Sequence, residues 1–288
     1  MGLPMARHLA AAGFPLSVYD SRKEALATLA TDHNISVADS PKAIATASDI
    51  VITMLPSSRE VHAVVFGAAG LIEGFTPGKL LLDTSSSDPA KTREIAERLA
   101  GAGVAMVDAP VSGAEAGAID AKLVFMVGGT TQAVQRVKPV LEVLGKKTFH
   151  LGEVGAGHAM KCINNLITSI TFMATAEGLI LGKAYGLDPA VMNEVINEST
   201  GMSWISRTHI AQRILSRRFD DPFKFDLMVK DINIARHLTE ALHLDLPLSA
   251  TAQSLWRDIQ AKIPKGSSVS ELVRGLEEST GIAIVSNR

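Results

Sequence analysis

The sequence predicts an α/β domain built on a doubly wound parallel sheet, followed by an all-α domain, and three observations carry that expectation. From Leu16 to His150, short β-rich runs alternate with helix-length amphipathic stretches, the order that winds helices onto both faces of a parallel sheet. Runs such as Ile50-Val51-Ile52 and Leu80-Leu81-Leu82 are apolar at every position, as strands buried on both faces are. After about Glu153 no convincing strand follows, and helix-length stretches succeed one another to near the C-terminus. The 288 residues exceed what one core usually organises, and the domains are read as 1–153 and 154–288.

The chain opens with an amphipathic helix (Leu3, Met5, Ala6, Leu9, Ala10) in which Pro4 suits the first turn and Gly13 the stop. The same segment holds Arg7 and His8 and no acid up to Tyr19, which is also the composition of an organelle transit peptide; the structural helix is the preferred reading. Strands are expected at residues 16–19, 49–55, 79–82, 104–107, 122–127 and 147–150, and helices at 22–31, 42–47, 59–66, 89–102 and 132–144. In the second half a helix over 157–185 is long enough to join the domains, and others follow at 189–198, 207–216, 226–242, 248–263 and 269–279. The apolar stretch 166–181 is interrupted by Thr168, Ser169, Thr171, Thr175 and Glu177, so it reads as a buried helix rather than a membrane span.

Composition excludes several roles. Hydrophobic residues at 47% and charged ones at 20% are globular proportions, not those of a disordered chain. Lys plus Arg of 28 against Asp plus Glu of 30 leaves a net charge of -2 and no field for nucleic acid. Cys162 is the single cysteine, so no intrachain disulfide and no cysteine-built zinc site can form. A reducing, cytoplasmic setting is expected, without metal, membrane or nucleic-acid partner.

Open parallel sheets bind ligands beyond the strand C-termini, and dinucleotides use a G-x-G-x-x-G turn whose glycines let backbone approach a pyrophosphate. No complete copy is present. Met1-Gly2 followed by helix, Gly13, a short strand and Asp20 is what a cut inside that fingerprint would leave, with Gly2 its third glycine and Asp20 the ribose-hydroxyl acceptor. An ordinary helix-turn-strand with a solvated Asp is the alternative. Gly178 to Ala184 superficially resembles a phosphate loop but is one residue short, ends in Ala and lies in mid-helix, and is discarded.

Three clusters fall where such a fold needs them. Asp83-Thr84-Ser85-Ser86 follows a strand and could face the ligand crevice, beside Met54-Leu55-Pro56 as an apolar wall, or the segment is a helix cap by Ser87 or Asp88. Asp108 to Gly117 places glycines and Ser112 after a strand, a geometry that holds a carboxylate, or is a plain loop. Gly155 to Asn165 opens the long helix, with Lys161 and Asn165 four apart on one face and Asn164 beside them. A lysine near a helix N-terminus is disfavoured by the dipole, and a neighbouring cationic ring would lower its pKa, poising it to move an alcohol proton. A lysine snorkelling over apolar neighbours is the plainer reading.

Taken together, Met1-Gly2-Leu3-Pro4-Met5-Ala6, ITMLP over 52–56, Asp83 to Ser86, DAPVSG over 108–113, Gly155 to Asn165 and Lys230-Asp231 occur in order over nearly the whole chain. The sequence resembles the β-hydroxyacid dehydrogenases, the group of 3-hydroxyisobutyrate dehydrogenase, tartronate semialdehyde reductase and the 6-phosphogluconate dehydrogenases. The resemblance implies a Rossmann domain followed by an all-helical domain, and metal-free hydride transfer between NAD and a small 3-hydroxy acid. It implies Lys161 as catalytic acid/base and Asn165, Ser112 and Gly113 as substrate-binding residues. Gly2, Asp20, Leu55, Pro56, Ser86 and Lys230 are implied as cofactor contacts. Asp20 stands where NADP-preferring relatives often carry Asn followed by Arg and points to NAD, although Arg22 keeps NADP possible.

Two departures stand out. Ala114 replaces the second glycine of the usual S-G-G run, and the first strand and first two fingerprint glycines are absent, which is read as truncation, a degraded relative being the alternative. The expected substrate is 3-hydroxyisobutyrate or a related short semialdehyde or hydroxy acid, and a homodimer or homotetramer is expected. A phosphosugar acid is disfavoured, since Arg207, Arg213, Arg217 and Arg218 equally suit a solvated helix face. The alternatives are a catalytically idle cofactor-binding relative, or an NADP-dependent reductase of tartronate or succinic semialdehyde or glyoxylate.

Overall fold

A computed structural model describes residues 1–29 and 33–286, and these fall into two compact units, Met1–Lys161 and Cys162–Arg288. In the first, α1 (Gly2–Ala11) buries Met5, Leu9 and Ala10, as its apolar spacing demands. A two-stranded parallel sheet follows, β1 (Leu16–Val18) with β2 (Ile35–Val37), the latter not expected from sequence. Helix α2 (Lys23–Ala27) lies between them; the expected end of this helix, Thr31, lies outside the described residues. Helix α3 (Pro41–Ala47) is capped by Ser40, which accepts from the Ala43 N–H.

The main sheet begins with three parallel strands, β3 (Ile50–Thr53), β4 (Leu80–Asp83) and β5 (Ala105–Asp108), connected by α4 (Ser58–Phe66) and α5 (Pro89–Ala100). Next come β6 (Val111–Ser112), α6 (Ala114–Ile119), β7 (Leu123–Gly128), α7 (Thr131–Leu144) and β8 (Gly145–Gly152). The order is β3-β4-β5-β7-β6, with β8 on β7.

Two features differ from the sequence expectation. The sheet is mixed, because β7 runs antiparallel to β5 and β6 while β8 is parallel to β7. A parallel return needs a crossover of about a dozen residues; here β6 folds back onto β7 and takes up the chain that such a crossover would use. Strand β4 is buried throughout, but Ile50 and Ile52 of β3 are only half-buried. Among the described residues β3 bonds only to β4, and β1 only to β2.

The second unit is helical. Most of α8 (Ala156–Tyr185) belongs to it, followed by α9 (Pro189–Asn197), a π-helical segment Ile205–Leu215 where an α-helix was expected, α10 (Phe225–Ala241), α11 (Pro247–Gln260) and α12 (Glu271–Thr280). Phe172, Ala176 and Leu179 of α8 pack with Ile210, Phe225, Ile232, Trp256 and Leu272 in its core. By length and composition α8 could also cross a membrane, yet the face that carries Phe172, Ala176 and Leu179 is taken up by this core packing.

Candidate active site

Strands β3, β4 and β5 end in register at Thr53, Asp83 and Asp108. The fully buried Asp83 accepts from the Thr53 hydroxyl at 2.8 Å, the Ser85 N–H at 3.0 Å and the Ser87 hydroxyl at 3.2 Å. Ser85 in turn accepts the Leu55 N–H at 2.9 Å. The turns after β3 and β4 are therefore one bonded piece. Asp83, Thr84 and Ser85 are spent on that turn and buried, whereas Met54, Leu55 and Ser86 are half-buried and Pro56 exposed along its rim.

Asp108 does what local capping residues usually do for a helix start. Its carboxylate accepts the Gly155 N–H at 2.7 Å and the His158 N–H at 2.8 Å, two of the donors a helix N-terminus leaves without intrahelical partners. Burial, the largest influence, pushes the Asp108 carboxyl above the usual range, opposed by His158 and these two amides and reinforced by Asp83. The approach is close enough to require glycine: a Cβ at Gly157 would lie 2.2 Å from the Met126 carbonyl oxygen, and Gly155 has φ +94°.

Half-buried Lys161 follows on α8, and one turn later Asn165 is buried. The Asn165 amide donates to Asp231 at 2.5 Å and accepts from Asn164 at 3.1 Å, which fixes its orientation. The Lys230 ammonium lies 3.3 Å from Asp231. Asn165, Lys230 and Asp231 thus form one cluster of the second unit. In the first unit Ser112 ends β6 and Gly113 opens α6 with φ +125°, while Ala114 has φ +53°, a left-handed conformation strained for alanine.

Gly2 is exposed at the start of α1, which has no side-chain cap hydrogen bond and no acid in its first turn, leaving amides suited to an anion. A Cβ at Gly2 would meet only Met54, at 4.0 Å. Packing does not demand glycine there, so the position leaves room beside the helix start. Burial alone would raise the Asp20 carboxyl, but hydrogen bonds from the Arg22 amide and guanidinium, with its charge, hold it below the usual range. Uncapped amides, an ionised carboxylate and the apolar Met54–Pro56 rim fit a pyrophosphate, a ribose diol and a flat ring. Sequence reasoning singled out these residues but gave no role to His158, Asp108 or Asp231, whose partners lie 47 to 73 positions away.

Residues 1–152 match the family described as the NAD binding domain of 6-phosphogluconate dehydrogenase, and residues 155–276 the family described as NAD-binding of NADP-dependent 3-hydroxyisobutyrate dehydrogenase. The chain is 35% identical to 3-hydroxyisobutyrate dehydrogenase of Pseudomonas aeruginosa, covering 96% of each. It is 32% identical to 2-(hydroxymethyl)glutarate dehydrogenase of Eubacterium barkeri, over 99% of this chain and 94% of that one. The solved structure of Mycobacterium tuberculosis 3-hydroxyisobutyrate dehydrogenase with L-serine superimposes with a TM-score of 0.89 at 29% identity, covering 96% of this chain and 95% of that one. With both family models matched in order along a Rossmann-type unit and a helical unit, the chain belongs to the β-hydroxyacid dehydrogenase family of NAD-dependent oxidoreductases.

Proposed function

We propose that this dehydrogenase interconverts a short 3-hydroxy acid, 3-hydroxyisobutyrate or a close relative, with its semialdehyde, using Lys161 as general acid/base. NAD, when bound, supplies the hydride acceptor. Gly2, through its amide, Asp20, Leu55, Pro56, Ser86 and Lys230 are the residues that would hold it. The neutral Lys161 amine accepts the proton of the substrate hydroxyl as the C–H bond breaks, and its ammonium returns the proton in the reverse direction. Ser112 and the Gly113 amide hold the substrate carboxylate, and Asn165, its amide fixed by Asp231, orients the hydroxyl.

The placement of Lys161 carries this reading: it stands one helical turn after a helix start that Asp108 and His158 bind to the carboxyl ends of β4 and β5. The relatives act on, or are seen with, differently substituted small acids, so the carboxylate and the β-hydroxyl are the shared features that this chain is proposed to read. Lys161→Ala tests the assignment. Turnover on a panel of short hydroxy acids is expected to fall at least ~100-fold with substrate still bound, as removal of a general base does; retained turnover would overturn it.

The chain is proposed to act as a homo-oligomer in a reducing, cytoplasmic compartment, its one cysteine, Cys162, being buried. On α8 the exposed residues Ile163, Ile167, Ala174, Gly178, Leu181 and Tyr185 recur at helical spacing, an apolar stripe that a second copy would cover.

A further inference from the structure

We propose that His158 is a positioning residue for the reaction, holding the helix turn that carries Lys161 against the cofactor-side turn Ser85–Ser86. This rests on the reading of Lys161 as acid/base. The His158 side chain is wholly buried and both ring nitrogens are engaged. Nε2 lies 3.0 Å from the Ser85 carbonyl oxygen, which can only accept, so Nε2 carries the hydrogen. Nδ1 lies 2.8 Å from the Thr92 hydroxyl on α5. The ring also passes between two buried carboxylates, 3.8 Å from Asp83 and 3.6 Å from Asp108.

These bonds close a circuit. Ser85 accepts from Leu55 through its hydroxyl and from His158 through its carbonyl, while the His158 backbone N–H is held by Asp108. His158 precedes Lys161 by three residues, about 4.5 Å along the helix axis. A shift of the histidine therefore displaces the lysine directly. An apolar side chain could fill the volume, but it would leave the Ser85 carbonyl buried without its donor and would unlatch the lysine's turn from the cofactor rim. Displacements of about 1 Å at such a distance suffice to lower turnover by about 100-fold.

Three variants of the 288-residue chain separate this role from simple packing. The glutamine amide reaches where Nε2 stands and keeps the bond to Ser85; the asparagine amide reaches only Nδ1. His158→Gln is expected to retain turnover within about threefold, while His158→Asn and His158→Ala lose about 10- to 100-fold in kcat with KM for the hydroxy acid changed less than threefold. As a readout independent of turnover, the rate at which Lys161 reacts with an amine-directed acylating reagent is followed against pH by mass spectrometry. Its profile is expected to move in His158→Asn and His158→Ala and to stay put in His158→Gln. Equal behaviour of the glutamine and asparagine variants in both readouts overturns the proposal, as does parental kcat in a folded His158→Ala. If His158→Ala does not fold, the glutamine–asparagine pair decides. Lys161→Ala keeps the two ideas apart: if it stays active the acid/base assignment fails, whereas an inactive Lys161→Ala beside a fully active His158→Ala refutes the positioning role alone.

Discussion

Two glycines on the same helix are expected to respond to alanine with opposite signs. At Gly157 the added Cβ would lie 2.2 Å from the Met126 carbonyl oxygen and 2.9 Å from both the carbonyl and a carboxylate oxygen of Asp108. These contacts are with backbone and a bonded carboxylate, so the first turn of α8 must move. Overpacking of this kind costs about 1–3 kcal/mol. The movement also stretches the Gly155 and His158 amide bonds to Asp108, and loss of one charge-assisted bond costs about 1.5–3 kcal/mol. Subtracting about 1 kcal/mol for alanine's better helix propensity leaves a net loss of about 1.5–5 kcal/mol. At Gly178 no heavy atom lies within 4 Å of the added Cβ. There the propensity term acts alone, a gain of about 0.5–1 kcal/mol. Urea unfolding followed by far-UV circular dichroism at a low and a high protein concentration measures both. A Gly157→Ala protein as stable as the parent would refute the account of how α8 is seated; a loss at Gly178→Ala at a protein concentration where the chain is monomeric would refute the open-face reading, whereas a loss confined to higher concentrations would report the second copy proposed to cover α8.

Other outcomes follow from the charges and the surface. Asp20→Asn is expected to raise the ratio of kcat/KM with NADP to that with NAD about tenfold, about 1.4 kcal/mol, because the carboxylate that repels a 2′-phosphate is gone and Arg22 is released; an unchanged ratio in steady-state assays refutes it. Burial would raise the Asp221 carboxyl, but the hydrogen bond and charge of His209, 2.7 Å away, with the Phe223 amide and the charge of Arg213, together outweigh it and hold the group below its unfolded value of 3.8. A carboxyl depressed in the folded state contributes stability above the unfolded value and loses it as pH falls through the folded one. The urea-midpoint advantage of the parent over Asp221→Asn is thus expected at pH 7 and lost in the acid limb, and an advantage independent of pH contradicts the pairing. Leu181→Asp places a charge in the α8 stripe, 72% exposed at that position. Sedimentation is expected to show a smaller assembly, and an unchanged mass removes α8 from the interface.

The long elements were legible because burial imposes a period on them. Leu80-Leu81-Leu82 reads as an interior strand and is one, and the helix over 157–185 is observed within a residue of its expected start. Two short elements were missed, β2 with three residues and β6 with two, too few to show any period, although β1, also of three residues, was expected. The direction of β7 was hidden for another reason. An apolar run looks alike whether its neighbour is parallel or antiparallel, so nothing in Leu123–Gly128 declares the reversal against β5. Ile50 and Ile52 misled in the opposite sense, their apolar character suggesting two fully covered faces where the face of β3 that carries them is only half-buried. At the site, Lys161 and Asn165 were visible through helical spacing, but the groups that orient them were not. Asp108 caps a helix that begins 48 positions later in the chain, and Asp231 meets Asn165 across 66.

That pattern has a physical origin. A local cap would fix only where α8 begins; a cap borrowed from the end of β5 fixes where α8 begins relative to the sheet. The distinction matters for the lysine proposed to meet a hydroxyl proton within hydrogen-bond reach. Each bond in the circuit from Leu55 through Ser85 and His158 to Asp108 is buried or half-buried, so each is strengthened by its low-dielectric surroundings and costly to leave unmade. A carboxylate raised by burial is tolerated at Asp108 because helix-start amides and an imidazole compensate it, and the same carboxylate offsets the helix dipole that would otherwise disfavour a cation at Lys161. Seating the helix and making its second turn habitable for an ammonium are thus one interaction, which is why the residues needed for the chemistry could not be read from the neighbourhood of the lysine alone.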